Sequence, residues 1–215
     1  YLKLGSGNDT VTLGNLDQSA LQTVEGNGGT DTAILNFSGN SDGVWAGING
    51  NFQYSIGWNP NPYPTSGALL AGFENLVITG GTGDDQLSSG TGNNVLDGGA
   101  GNDALHGSNY EIGFGGHDVL LGGHGDDIIY SGTGRTTQID GGTGFDRLWL
   151  QRNDLIGDAT VAFLSNGQGG GGYEFTLSDG TSVTGIERLI YLKLGSGNDT
   201  VTLGNLDQSA LQTVE

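Results

Sequence analysis

The sequence predicts an all-β solenoid, and three observations carry that expectation. A nine-residue word, G-G-x-G-x-D-x-U-x with U apolar, recurs between Gly80 and Trp149. Glycine accounts for 44 of 215 residues, far above the usual ~7%, yet Leu, Ile, Val and aromatic residues return at short, regular intervals. No segment sustains a helical period. Residues 16–25 (LDQSALQTVE) are the one candidate, and they read as a further coil.

The words run GGTGDDQLS (80–88), SGTGNNVLD (89–97) and GGAGNDALH (98–106). Six extra residues follow, then GFGGHDVLL (113–121), GGHGDDIIY (122–130), a ten-residue SGTGRTTQID (131–140) and GGTGFDRLW (141–149). Outlying copies are LGSGNDTVT (4–12 and 194–202) and GNGGTDTAI (26–34). Glycines at positions 1, 2 and 4 open backbone conformations denied to residues with a Cβ, so the first six residues are expected to form a tight turn. Positions 7–9 then make a very short strand whose middle residue enters the core. Leu87, Leu96, Leu105, Leu120, Ile129 and Leu148 hold that place. Two words complete one coil, so turns on one side recur every 18 residues.

This spacing sorts the acidic residues. On one side lie Asp85, Asp103, Asp127 and Asp146, separated by 18, 24 and 19 residues. The longer step contains the insertion 107–112, expected to bulge out as a loop. Asp9 and Asp31 stand 22 apart, again one coil plus a small insertion. The opposite side reads Asn94, Asp118 and Thr136, a column poorer in charge. Carboxylates stacked ~4.8 Å apart repel by about 3 kcal/mol per pair at an effective dielectric near 20. A counter-cation is therefore expected. Inward carbonyls and carboxylates are hard oxygen donors, which suit Ca²⁺ with its 6–8 ligands.

The remaining sequence has its own repetition. Residues 1–25 and 191–215 both read YLKLGSGNDTVTLGNLDQSALQTVE without a mismatch. Identity of that length points to a tandem array of units repeating every 190 residues, with neighbouring copies as end-to-end partners. Two long segments, 32–80 and 147–194, lack the word but end alike, in GFENLVITGGTGDD and GIERLIYLKLGSGND. They read either as degenerate coils or as longer coils with projecting hairpins. The chain thus divides into an overlap copy (1–25), a first half-unit (26–140) and a second half-unit (141–215) that ends in the duplicate.

The words between Gly80 and Trp149 resemble the RTX family of secreted bacterial proteins. The resemblance implies a parallel β-roll, export by type I secretion, and folding triggered by extracellular calcium. It places each ion between turns n and n+2, held by position-6 carboxylates and turn carbonyls. Carried over, the carboxylates are Asp85, Asp103, Asp118, Asp127 and Asp146, with Asp9, Asp31 and Asp199 in the outlying copies. The carbonyls are those of Gly81, Gly83, Gly99, Gly101, Gly123, Gly125, Gly142 and Gly144. Asn94 and Thr136 depart from the pattern.

Composition excludes several other roles. A net charge of −18 opposes nucleic acid and anionic membrane surfaces, and no apolar run approaches the ~18 residues of a membrane helix. Without Cys there is no disulfide or thiolate metal site; targeting signals are expected outside this stretch. The three histidines, His106, His117 and His124, all fall within the words, and neither H-E-x-x-H nor G-x-S-x-G occurs. The chain therefore reads as a calcium-dependent structural unit, not an enzyme, of a secreted or cell-surface protein. Alternative roles are the non-catalytic part of a secreted enzyme or a carbohydrate-binding module. The latter would act through GWNPNPYPTSG (57–67), where Trp58 and Tyr63 sit among all three prolines.

Overall fold

Short apolar runs punctuated by glycine turns drive the chain into strands, with no helix among the described residues. The computed structural model describes residues 1–14, 21–48, 54–58, 67–107, 116–165, 171–202 and 213–214. The strands β1 (Leu2–Lys3), β2 (Thr10–Gly14), β3 (Leu21–Glu25), β4 (Thr32–Asn36), β5 (Val44–Ile48), β6 (Tyr54–Trp58) and β7 (Gly67–Ala71) lead to β8 (Asn75–Thr79). The repeated words contribute β9 (Gln86–Ser88), β10 (Val95–Ala100), β11 (Ala104–His106), β12 (His117–His124), β13 (Ile128–Tyr130), β14 (Arg135–Thr143) and β15 (Arg147–Gln151). Then come β16 (Thr160–Ser165), β17 (Gly171–Thr176), β18 (Ser182–Ile186), β19 (Arg188–Lys193), β20 (Thr200–Thr202) and β21 (Thr213–Val214).

These strands form two sheets between which the chain alternates. One has 11 strands in the order β1-β3-β7-β6-β5-β9-β11-β13-β15-β19-β21. The other has 10, in the order β2-β4-β8-β10-β12-β14-β18-β17-β16-β20. Most pairs are parallel, because each strand is followed by passage through the opposite sheet before the chain returns to its first neighbour. Register follows the nine-residue word: Leu87, Leu105, Ile129 and Leu148 stack in one sheet, and Leu96, Leu120 and Ile139 in the other. All seven are completely buried and belong to one core cluster fed by both sheets. The insertion after Gly107 leaves this register intact, since Leu105 still meets Ile129 across it. Its own residues 108–112 lie outside the described residues.

The two long segments are three-stranded antiparallel meanders lying within the sheets. The strands β5, β6 and β7 form the first, in the 11-stranded sheet. The second, β16, β17 and β18, lies in the 10-stranded sheet. Each ends in parallel pairing on both flanks, so the stack continues through it. Their placement has a geometric consequence. A single meander would advance one sheet by two strands more than the other. With one in each sheet, nine inter-strand steps separate β1 from β19, and nine separate β2 from β20. Both walls advance equally over one repeat.

The two copies of the duplicated segment adopt the same register. Leu2 pairs with Val24 as Leu192 pairs with Val214. Their surroundings differ: β19 has β15 on its other side, whereas the outer edge of β1 is open. Leu2 is consequently 44% exposed and its counterpart Leu192 1%.

Candidate metal centre

Turns stack into two columns. Those entering the 11-stranded sheet hold Asp85, Asp103, Asp127 and Asp146. Those entering the 10-stranded sheet hold Asp9, Asp31, Asn94, Asp118, Thr136 and Asp199. The first column and the weak middle of the second are those the word spacing predicts. The spacing does not predict that Asp9, Asp31 and Asp199 belong to the second, supplying carboxylates at both ends of it.

In the first column, one oxygen of each carboxylate ties neighbouring coils together. Asp103 Oδ1 accepts the Asp85 N–H at 2.7 Å, Asp127 Oδ1 the Asp103 N–H at 2.7 Å, and Asp146 Oδ1 the Asp127 N–H at 2.8 Å. Asp85 Oδ1 begins the ladder by accepting from Val44 N–H. The other oxygen is different. Oδ2 of Asp103, Asp127 and Asp146, and of Asp31 in the second column, is buried without a hydrogen-bond partner. An unsatisfied buried carboxylate oxygen is costly, which marks a place where something else is to be bound.

The surroundings of these oxygens explain the glycine at position 1. A Cβ on Gly98 would lie 2.3 Å from Asp103 Oδ2 and 2.6 Å from the Gly122 carbonyl oxygen. On Gly122 it would lie 2.4 Å from both Asp127 Oδ2 and Gly141 O, and on Gly26 2.3 Å from Asp31 Oδ2 and 2.2 Å from Gly72 O. Gly80 and Gly141 repeat the arrangement with Gly98 O and Gly185 O. Each coil thus presents a small cradle in which its own carboxylate and the next turn's carbonyl converge. Backbone freedom is the reason only at positions 2 and 4. There Gly99, Gly101, Gly123, Gly125, Gly142 and Gly144 have φ between +93° and +144°. The expectation that all three glycines serve conformation is corrected: position 1 lies outside the left-handed region and is glycine for room. Gly81 and Gly83, in the first coil, also lack positive φ and pack against the main chain of residues 40–43.

The same comparison accounts for the weak middle of the second column. Position 1 of the Asn94 and Thr136 words is Ser89 and Ser131, side chains where the first column has glycine. Ser89 Oγ donates to Asp118 Oδ2 at 3.3 Å, and Asp118 Oδ1 accepts from the Asn94 amide at 2.9 Å. Asp118 therefore has protein donors on both oxygens. Thr136 is buried with an unpartnered hydroxyl. Among the expected carboxylates at the periphery, Asp9 Oδ2 accepts the Gly5 N–H at 3.2 Å, and exposed Asp199 Oδ1 accepts the Ala159 N–H at 2.8 Å.

Without a cation, burial and neighbouring carboxylates push Asp103 and Asp146 up to about 7, and burial also raises Asp85 and Asp127. No three His, Asp or Glu side chains converge on one point among the described residues. A cation held here must therefore draw on main-chain oxygens, which the cradles supply. Hard oxygen donors of mixed carboxylate and carbonyl type fit calcium.

Several side-chain roles lie beyond the sequence expectation. Position 5 forms a second ladder running the other way: Asp84 Oδ1 accepts the Asn102 N–H at 2.7 Å, Asn102 Oδ1 that of Asp126 at 2.8 Å, and Asp126 Oδ1 that of Phe145 at 2.9 Å. Its signal was the recurrent Asn or Asp before the position-6 residue. Arg152 is wholly buried below Thr136. It donates to Thr181 Oγ1 at 2.7 Å and to Asp154 and Asp179, while Thr181 Oγ1 donates to Thr136 O. The histidines do not gather. His106 stacks on Tyr130 with centroids 4.4 Å apart, and Trp149 stacks on Tyr191 at 4.4 Å. These rings stack on one another along the sheet. Residues 59–66 of the aromatic, proline-rich loop lie outside the described residues.

Two parallel-stacked sheets edged by columns of glycine cradles and buried carboxylates define a calcium-binding repeat region. Residues 79–109 and 112–138 match the RTX calcium-binding nonapeptide repeat (4 copies), so the chain carries RTX repeats, which bind calcium ions. No curated protein matches the chain.

Proposed function

We propose that this chain is a calcium-rigidified β-roll, one unit of a tandem array in a larger secreted or cell-surface protein. Its role is structural, holding distance and shape, and the reading assigns it no catalytic chemistry. The observation that carries it is the set of buried, unpartnered Oδ2 atoms of Asp31, Asp103, Asp127 and Asp146, each facing a cradle with a carbonyl oxygen. Calcium seated there would turn the most expensive feature of the fold into its staple. The proposed ligands are these carboxylates and Asp85, with carbonyls of Gly72, Gly98, Gly122, Gly141 and Gly185.

The array reading is supported by equal advance of the two sheets and by the shared register of the two copies of the duplicated segment. At about 4.8 Å per strand, nine steps carry one repeat about 43 Å along the stack. A preceding copy would cover Leu2 as β15 covers Leu192. The test is a chelator-to-calcium titration followed by far-ultraviolet circular dichroism. The β signal is expected to appear only with calcium. An unchanged β spectrum in excess chelator at pH 8 would refute the calcium-dependent fold.

A further inference from the structure

Asp31 and Asp146 lie outside the matched repeats, and the turn stacked next after each on its own side is not a nine-residue word. The neighbouring turn is Gly72-Phe73-Glu74 for Asp31 and Gly185-Ile186-Glu187 for Asp146. Glu74 Oε2 accepts the Asp31 N–H at 2.8 Å, and Glu187 Oε2 accepts the Asp146 N–H at 2.8 Å. These are the bonds that the next position-6 aspartate makes in the interior coils. The main chains answer in kind. N–H groups of Glu74 and Asn75 donate to Asp31 O at 3.2 and 3.0 Å, those of Glu187 and Arg188 to Asp146 O at 3.1 and 3.0 Å. Gly72 and Gly185 share a left-handed φ of +68° and +62°. Each sends its carbonyl into the cradle beside the unpartnered Asp31 or Asp146 Oδ2.

We infer that these two turns complete the calcium sites begun by Asp31 and Asp146, Glu74 and Glu187 each supplying the closing carboxylate. Asp31, Gly72 and Glu74 form one; Asp146, Gly185 and Glu187 form the other. The glutamate has a physical reason. The turn beside each cradle is a short Gly-x-Glu rather than a six-residue glycine turn ending in aspartate. One extra methylene, about 1.5 Å of reach, brings the carboxylate to the same place. This inference rests on the reading that cradles hold calcium.

The test counts calcium per chain by equilibrium dialysis and metal analysis, with calorimetry for affinity, on the full chain. The variants are Glu74→Gln, Glu187→Gln, Glu187→Asp and the interior Asp127→Asn. Glutamine keeps an oxygen for the Asp31 or Asp146 N–H, so the turns stay folded, and β content is checked by circular dichroism in saturating calcium. Each Gln variant is expected to bind one ion fewer while Asp127→Asn loses at least one. Glu187→Asp, charged but short, is expected to keep the ion with roughly tenfold weaker binding. A full count at unchanged affinity in both Gln variants, alongside a loss in Asp127→Asn, overturns the closing sites and leaves the interior ones standing. If Asp127→Asn also binds the full count, the cradle reading itself falls.

Discussion

Replacing Gly122 by alanine isolates the role of the cradle. The glycine lies outside the left-handed region, so alanine can adopt its backbone conformation and the effect comes from one added carbon. That carbon would stand 2.4 Å from Asp127 Oδ2 and 2.4 Å from Gly141 O, against an ordinary contact of at least 3.4 Å. One or both oxygens must retreat by roughly 1 Å, within a close-packed stack where overpacking costs about 1–3 kcal/mol. Calcium requires oxygens at ~2.3–2.6 Å, so a displacement of that size removes a ligand. About 3 kcal/mol of lost binding corresponds to a roughly hundredfold weaker site. Calorimetric titration of Gly122→Ala should therefore show one strong site fewer, and its melting temperature in saturating calcium should fall towards that in less calcium. Ser89→Ala, at the same position of the second column where a Cβ already exists, should leave the count unchanged. A wild-type count and affinity in Gly122→Ala would show that position 1 is glycine for some reason other than room.

Further outcomes follow from the same geometry. In the metal-free fold, Asp103 and Asp146 titrate near 7 rather than 3.8, so the folded form binds protons more tightly than the unfolded one. Stability without calcium should fall as pH rises from about 4 to 7, by about 4 kcal/mol per group. Circular dichroism in chelator should show more β structure at pH 5 than at pH 8; the reverse order would contradict the burial argument. Arg152→Met removes the only guanidinium buried with Asp154, Asp179 and Thr181 among the described residues. It should cost about 3–5 kcal/mol and speed hydrogen exchange near Thr136 and Thr181, with the calcium count retained. An unchanged melting temperature would refute that role. Chains of two repeats should melt higher than one and lengthen by about 43 Å in small-angle scattering; independent melting of two flexibly joined bodies would refute continuous stacking.

Much of the site was legible because it is periodic. An aspartate every 18 to 24 residues in glycine turns, with one buried aliphatic residue per strand, leaves few other arrangements, and Asp85, Asp103, Asp127 and Asp146 fall in the expected column. The reason for glycine at position 1 was not legible, since volume and backbone freedom demand the same residue. Ser89 and Ser131 were the available signal, appearing at position 1 of the words whose sixth residue is Asn94 or Thr136. Glu74 and Glu187 were visible only as a shared ending, because their role depends on contacts 43 and 41 residues away.

The sequence by itself determined the all-β character, the coil period, the identity of the buried aliphatic column and the demand for a cation. These follow from local patterns repeated along the chain. Only the tertiary structure decided where the non-periodic residues go. It placed Asp9, Asp31 and Asp199 in the second column and buried Arg152 beneath Thr136. It also laid one meander in each sheet so that both advance by nine strands per repeat. Those choices are set by the strand partner across the stack, and pairing over more than 40 residues leaves no periodic mark in the chain.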